Sequence, residues 1–271
     1  MSAPEAPAHN PLAKSLEHYW EQSRRPLASL IFVTPLLIAY ETGVLVFGAQ
    51  RVRNGADVWL RQLLDLLGLN QYFLLPVLTI CILLAWHYLT RQSWRISGGL
   101  IWGMLAECIA LSICLRLLLQ LLFFAFPART GEVVGPGGLI GAGNLLEAIG
   151  SVGGGVTASI GGKTAEVIGY LGAGIYEELL FRLILLSLTA WVLRRLGLKP
   201  GAALAAAVVA TSLVFAAAHY LPAGDRFTLF TFVFRFLAGA FFSLLFWYRG
   251  FGIAAGAHAG YNILVGLFPR M

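Results

Sequence analysis

Long apolar runs, separated by short polar stretches, set the pattern of this chain. Such runs cover residues 27–47, 71–89, 96–126, 164–195, 202–218, 227–247 and 253–268. About 20 apolar residues suffice to cross the hydrocarbon core of a bilayer. The pattern therefore predicts an all-α fold, a polytopic transmembrane helical bundle of about seven spans. Residues 57–69 behave differently, with apolar and charged positions recurring at helical spacing, which predicts a helix lying in the membrane interface. Residues 1–26 form a polar N-terminal segment with an amphipathic run from Leu12 to Arg24. Residues 127–163 are glycine-rich and lack helical periodicity, so a long loop is expected there, with a short helix near 145–149. The fourth run, at 32 residues, would be about 48 Å long as a helix, so it must tilt or project from the bilayer.

Composition agrees with this pattern. Of 271 residues, 58% are hydrophobic and 12% are charged, against roughly 25% charged in an average soluble domain. The net charge is +6, but the cations flank apolar segments and form no dense stripe. They read as groups facing lipid headgroups, so nucleic acid is not an expected partner. The three cysteines, Cys81, Cys108 and Cys114, all lie within apolar runs, and neither a disulfide framework nor a thiolate zinc site follows from them. Arg24, Arg25, Arg194, Arg195 and Lys199 favour a cytoplasmic N-terminus. A compact chain rich in alanine, glycine and leucine suits a bacterial cytoplasmic membrane.

Ionisable residues inside spans are costly, so each is a functional candidate. The fourth run carries Glu177, Glu178 and Arg182, the fifth ends Phe215-Ala-Ala-Ala-His219, and the last carries His258 and Asn262. Glu178 and Arg182 are four apart and can pair on one helix face, as can His258 and Asn262. Glu177 is rotated about 100° from Glu178, so one carboxylate can face a cavity while the other is held. Converging helices would thus assemble two carboxylates, two imidazoles and an amide. A carboxylate can act as general base toward water, and imidazole and amide groups can stabilise an oxyanion. Alternatively Glu177, His219 and His258 could hold Zn²⁺ or another divalent metal with a position open for water. The two mechanisms are not separated by sequence, and the HExxH signature is absent.

The order Glu177-Glu178-xxx-Arg182, Phe215-xxx-His219, His258-xxx-Asn262 on consecutive late spans resembles the three motifs of the CPBP family. That family comprises CAAX prenyl proteases and bacteriocin-processing enzymes and is also called the Abi family. The resemblance covers residues 164–268, which would form the catalytic core, behind a first group of three helices in residues 27–126. It implies an intramembrane endopeptidase acting on a membrane-anchored protein or peptide. Glu177 would activate water with help from His219, His258 and Asn262 would form the oxyanion site, and Glu178 and Arg182 would position the catalytic helix. Leu183 stands where many members carry glycine. The rival readings are a non-catalytic scaffold or immunity protein of the same family and a proton-coupled transporter, although no internal repeat supports the transporter. Glu41, Glu107, Arg116 and Arg235 are expected to make interhelical ion pairs, and Gly239, Gly252, Gly256 and Gly260 to mark close helix packing.

Overall fold

The computed structural model describes residues 11–125, 156–221 and 227–268. All its regular elements are helical. They are α1 (Pro11–Ser23), α2 (Pro26–Phe47), the short α3 (Ala49–Val52), α4 (Gly55–Leu66), α5 (Leu74–Leu89) and α6 (Gly98–Ala125). A long helix then runs through α7 (Val156–Glu178), a π-helical segment (Leu179–Leu186) and α8 (Ser187–Arg195), followed by α9 (Pro200–Ala218), α10 (Leu229–Arg249) and α11 (Phe251–Leu267). Four helices, α2, α6, α9 and α10, are long and apolar enough to cross a membrane. Helices α5 and α11 are apolar but shorter, at 16 and 17 residues. The chain is an integral membrane protein.

The loop expected over 127–163 needs one correction. Residues 156–163 are helical, so the fourth helix starts at Val156 rather than at 164. Propagating an existing helix by a turn costs far less than nucleating one, so the packed helix beyond residue 163 can extend back over this weakly helix-forming stretch. The short helix expected near 145–149 lies outside the described residues.

Helix α11 is the hub. From Phe251 to Ala259 every residue is buried, consistent with a helix that is apolar all round lying inside a bundle. Gly252, Gly256 and Gly260 recur every four residues and face α2 and α6, while Gly266 faces Tyr170 of α7. A Cβ at Gly252 would come within 2.8 Å of the Ser29 backbone, and at Gly256 within 2.6 Å of Cys108 Sγ and Phe32. At Gly260 it would meet Ser112 Oγ at 2.5 Å. Polar side chains bridge the narrow gaps. Gly252 N donates to Ser29 Oγ (2.9 Å), and Ser112 Oγ donates to the Ala257 carbonyl (2.8 Å).

Two buried ion clusters brace the bundle. In one, Arg249 donates twice to Glu107 (2.6 and 2.7 Å), while Tyr19 OH donates to the same carboxylate (2.6 Å). Arg249 also reaches Ser23 Oγ (3.0 Å) and lies over the Trp20 ring (4.4 Å). The cluster ties α1 to α6 and α10. Arg249 flanks an apolar run, like the cations expected to face lipid headgroups, but it is buried, neutralised by the Glu107 carboxylate. In the second cluster, Arg61 on α4 pairs with Asp57 (2.6 Å) and Glu41 (3.1 Å), and Arg53 pairs with Asp57 (3.3 Å). Glu41 and Glu107, expected to form ion pairs, do so. Arg116 donates to the Phe268 carbonyl (3.1 Å), and Arg235 lies over the Tyr220 ring (5.0 Å).

Candidate active site

Helix α7 meets α11 at Gly174. A Cβ there would stand 2.6 Å from the Ala255 carbonyl oxygen and 2.7 Å from the Ala259 backbone nitrogen. Only a residue without a side chain allows the two backbones this approach. One turn further along α7 is Glu178, and His258 lies between Ala255 and the next turn of α11. The crossing therefore delivers carboxylate and imidazole to each other. The opposite face of α7 is held by Tyr176, whose hydroxyl donates to Glu41 (2.6 Å) and whose ring meets Tyr40 edge-on (5.5 Å).

Beyond Glu178 the helix widens into the π-helical segment Leu179–Leu186. Such segments are rare and concentrate at functional sites. Arg182 lies within it, and the hydroxyl of Ser187, five residues on, donates to the Arg182 carbonyl (3.3 Å).

Glu178 is fully buried and holds the centre. Its Oε1 accepts from His258 Nδ1 (2.7 Å) and pairs with Arg182 Nη1 (3.2 Å). Arg182 is itself buried, donates to the Gly239 carbonyl (3.3 Å) and rests over the Phe215 ring (4.3 Å). A buried charge without such partners would be strongly destabilising. His258 stacks on Phe242 with ring centroids 4.5 Å apart and planes 15° apart. Its other nitrogen, Nε2, lies 3.7 Å from Glu177 Oε2. The imidazole thus stands between two carboxylates. Glu177 keeps 15% of its side chain exposed, and its Oε2 has no hydrogen-bond partner among the described residues.

His219 caps α9. Its Nδ1 lies 2.8 Å from the Phe215 carbonyl, which can only accept, so Nδ1 carries the proton in this bond and Nε2 remains available. Glu177, Arg235 and His258 all lie near enough to act on this ring electrostatically. Phe215 packs edge-on against His219 (4.9 Å) and is also the ring under Arg182. One aromatic residue therefore supports both groups.

Of the six residues singled out from sequence, Glu177, Glu178, Arg182 and His258 are brought into direct contact. His219 borders them. Asn262 is half-buried one turn beyond His258 and makes no hydrogen bond among the described residues. For the alternative metal set of Glu177, His219 and His258, no three His, Cys, Asp or Glu side chains among the described residues are already grouped around one point; His258 Nε2, the nitrogen not bonded to Glu178, faces Glu177. Gly174, Phe242 and the π-helical segment escaped the sequence pattern. Gly174 had a signal, being a small residue four before Glu178 in an apolar helix, but nothing in the local sequence specifies its partner.

A family model described as type II CAAX prenyl endopeptidase Rce1-like matches residues 165–264. Over this stretch the chain is similar to the Rce1-like proteases. The matched stretch begins in α7, ends in α11 and contains all six candidate residues, while the first 164 residues lie outside it. Comparison with curated proteins and with solved structures gave no match. The Rce1-like region supports a membrane-embedded endopeptidase of the CAAX type in general, in agreement with the resemblance carried by the three motifs.

Proposed function

We propose that this protein hydrolyses a peptide bond in a membrane-anchored protein or peptide, using water activated by Glu177. The observation that carries this reading is the placement of His258 between Glu178 at 2.7 Å and Glu177 at 3.7 Å, inside a helical bundle. Glu177 Oε2 removes a proton from water as the water oxygen attacks the scissile carbonyl. The tetrahedral oxyanion is held by N–H donors, for which His258 Nε2 and the Asn262 amide are the candidates. To donate, Nε2 must carry a proton while Nδ1 stays bonded to Glu178. As the intermediate collapses, the proton on Glu177 returns to the departing amine, with His219 Nε2 available as an alternative carrier. Glu178 and Arg182 orient His258 and do not touch the reacting atoms.

The reading includes residues 164–268 as the catalytic core and 27–126 as its supporting helices. In it α5, α11 and the long α7–α8 helix join the four longer helices to make seven spans. The N-terminus lies in the cytoplasm of a bacterium whose cytoplasmic membrane holds the protein. The test is cleavage of a membrane-anchored peptide library by the purified wild type and by Glu177→Ala, with and without a chelator. Cleavage by the wild type alone, unchanged by the chelator, supports the glutamate mechanism. Loss of cleavage on chelation would replace it with a metal mechanism, and equal cleavage by both proteins would remove Glu177 as the base.

A further inference from the structure

On the flank of the bundle, at the far end of the long helix from its start at Val156, a cleft of about 450 Å³ opens between α8 and α10. It is lined by Ser187, Ala190, Trp191, Arg194, Arg195 and Trp247. The lining has a definite chemistry. It contains two guanidinium groups and no carboxylate, and neither arginine pairs with an acid among the described residues. Two indoles flank the cations, and the Arg195 guanidinium lies 5.2 Å from the Trp191 ring centre. Ser187 and Ala190, both small, leave the cleft its volume.

The surroundings are amphiphilic in a directed way. Leu188, Trp191 and Arg195, spaced by three and four residues, share one face of α8. Leu188 is 53% exposed and Trp191 54%, while Leu244 and Trp247 on α10 are 45% and 43% exposed. Passing along α8 toward its C-terminus, the exposed surface therefore changes from leucine to tryptophan to arginine. Acyl chain, carbonyl-glycerol region and phosphate succeed one another in the same order in a bilayer leaflet, where indoles favour the interfacial level and basic side chains attract anionic headgroups.

We propose that this cleft binds an anionic phospholipid, with the phosphate on Arg194 and Arg195, the glycerol region between Trp191 and Trp247, and an acyl chain along Leu188 and Leu244. Charge complementarity selects the headgroup, since two cations without a neighbouring acid discriminate against a zwitterion. The cleft is also joined to the active-site helix. Ser187 lines it and donates to the carbonyl of Arg182, so an occupant rests against the end of the π-helical segment. The proposal does not depend on the protein being a protease.

The test is lipid retention by the full-length protein, extracted from vesicles of mixed phosphatidylcholine and phosphatidylglycerol and examined by native mass spectrometry. The wild type is expected to keep phosphatidylglycerol in preference to phosphatidylcholine. R194Q/R195Q should lower that retention about 25-fold, at about fivefold for each cation near a membrane surface. Ala190→Phe, which fills the cleft and keeps both arginines, should lower it comparably. R91Q/R95Q removes equal charge elsewhere and should leave it unchanged. Undiminished retention in R194Q/R195Q or Ala190→Phe overturns the proposal, as does an equal loss in R91Q/R95Q, which would indicate diffuse attraction. Displacement of the lipid by inorganic phosphate in comparable amount would show a phosphate site and overturn the acyl-chain assignment.

Discussion

The Tyr176 hydroxyl donates a 2.6 Å hydrogen bond to Glu41 Oε1, and Glu41 in turn pairs with Arg61 at 3.1 Å. Tyr176 immediately precedes Glu177, so this bond joins the candidate catalytic helix to α2, and the Glu41–Arg61 pair carries the connection on to α4, the helix expected at the membrane interface. Arg61 bridges Glu41 and Asp57, and Tyr40 donates to Asp57 (2.7 Å). The polar groups satisfy one another inside an otherwise apolar bundle, so removing one of them weakens the pairing of its neighbours.

Glu41→Ala should therefore cost more than Tyr176→Phe. The alanine leaves Arg61 short of one of its two carboxylates, a change worth about 3 kcal/mol for a buried pair. The phenylalanine removes one hydrogen bond to a charged group, about 1.5 to 3 kcal/mol, and leaves the Glu41–Arg61 pair in place. Thermal melting in detergent checks the order of the two variants.

Gly174→Ala tests the helix crossing. The added methyl meets the Ala255 carbonyl and the Ala259 backbone, neither of which is a flexible side-chain end. The helices must separate, moving Glu178 from His258. A displacement of about 1 Å at a catalytic group can cost roughly 100-fold in rate, so cleavage should fall by that order. Gly201→Ala, where the new methyl meets nothing within 4 Å, is the matched control and should leave cleavage unchanged.

Arg182→Met should destabilise strongly, by about 3 to 5 kcal/mol, because it strands the Glu178 carboxylate in the interior. Adding Glu178→Gln removes that charge and should recover part of the loss. A double-mutant cycle on melting stability measures this, and additive losses would mean that the 3.2 Å pair carries no coupling.

Glu177→Gln separates chemistry from folding. The side chain is partly exposed, and its Oε2 makes no hydrogen bond among the described residues and only the 3.7 Å approach to His258, so stability should change by no more than about 0.5 kcal/mol. Cleavage should fall by about 100- to 10,000-fold, the usual contribution of a general base. A folded variant that retains full turnover would assign the base elsewhere.

The motif residues were legible because ionisable side chains in apolar helices are exceptional, and their spacing of four places each pair on one face. Glu178–Arg182 follows directly from that spacing. The partner of His258 does not: spacing pairs it with Asn262 on its own helix, whereas the structure pairs it with Glu178 on another. Arg249 ends an apolar run, and only its approach to Glu107 on a distant helix explains how it can be buried.

By itself the sequence determined the helical class, the membrane setting, the approximate helix limits and the candidate residues, because these depend on apolar run length, periodicity and the cost of charge in lipid. Tertiary structure decided which side chains meet, that α11 is the buried hub, and that His258 stands between two glutamates. Those outcomes depend on contacts between distant segments, such as Gly174 against Ala255 and Tyr176 against Glu41, whose geometry is set by how closely whole helices can pack.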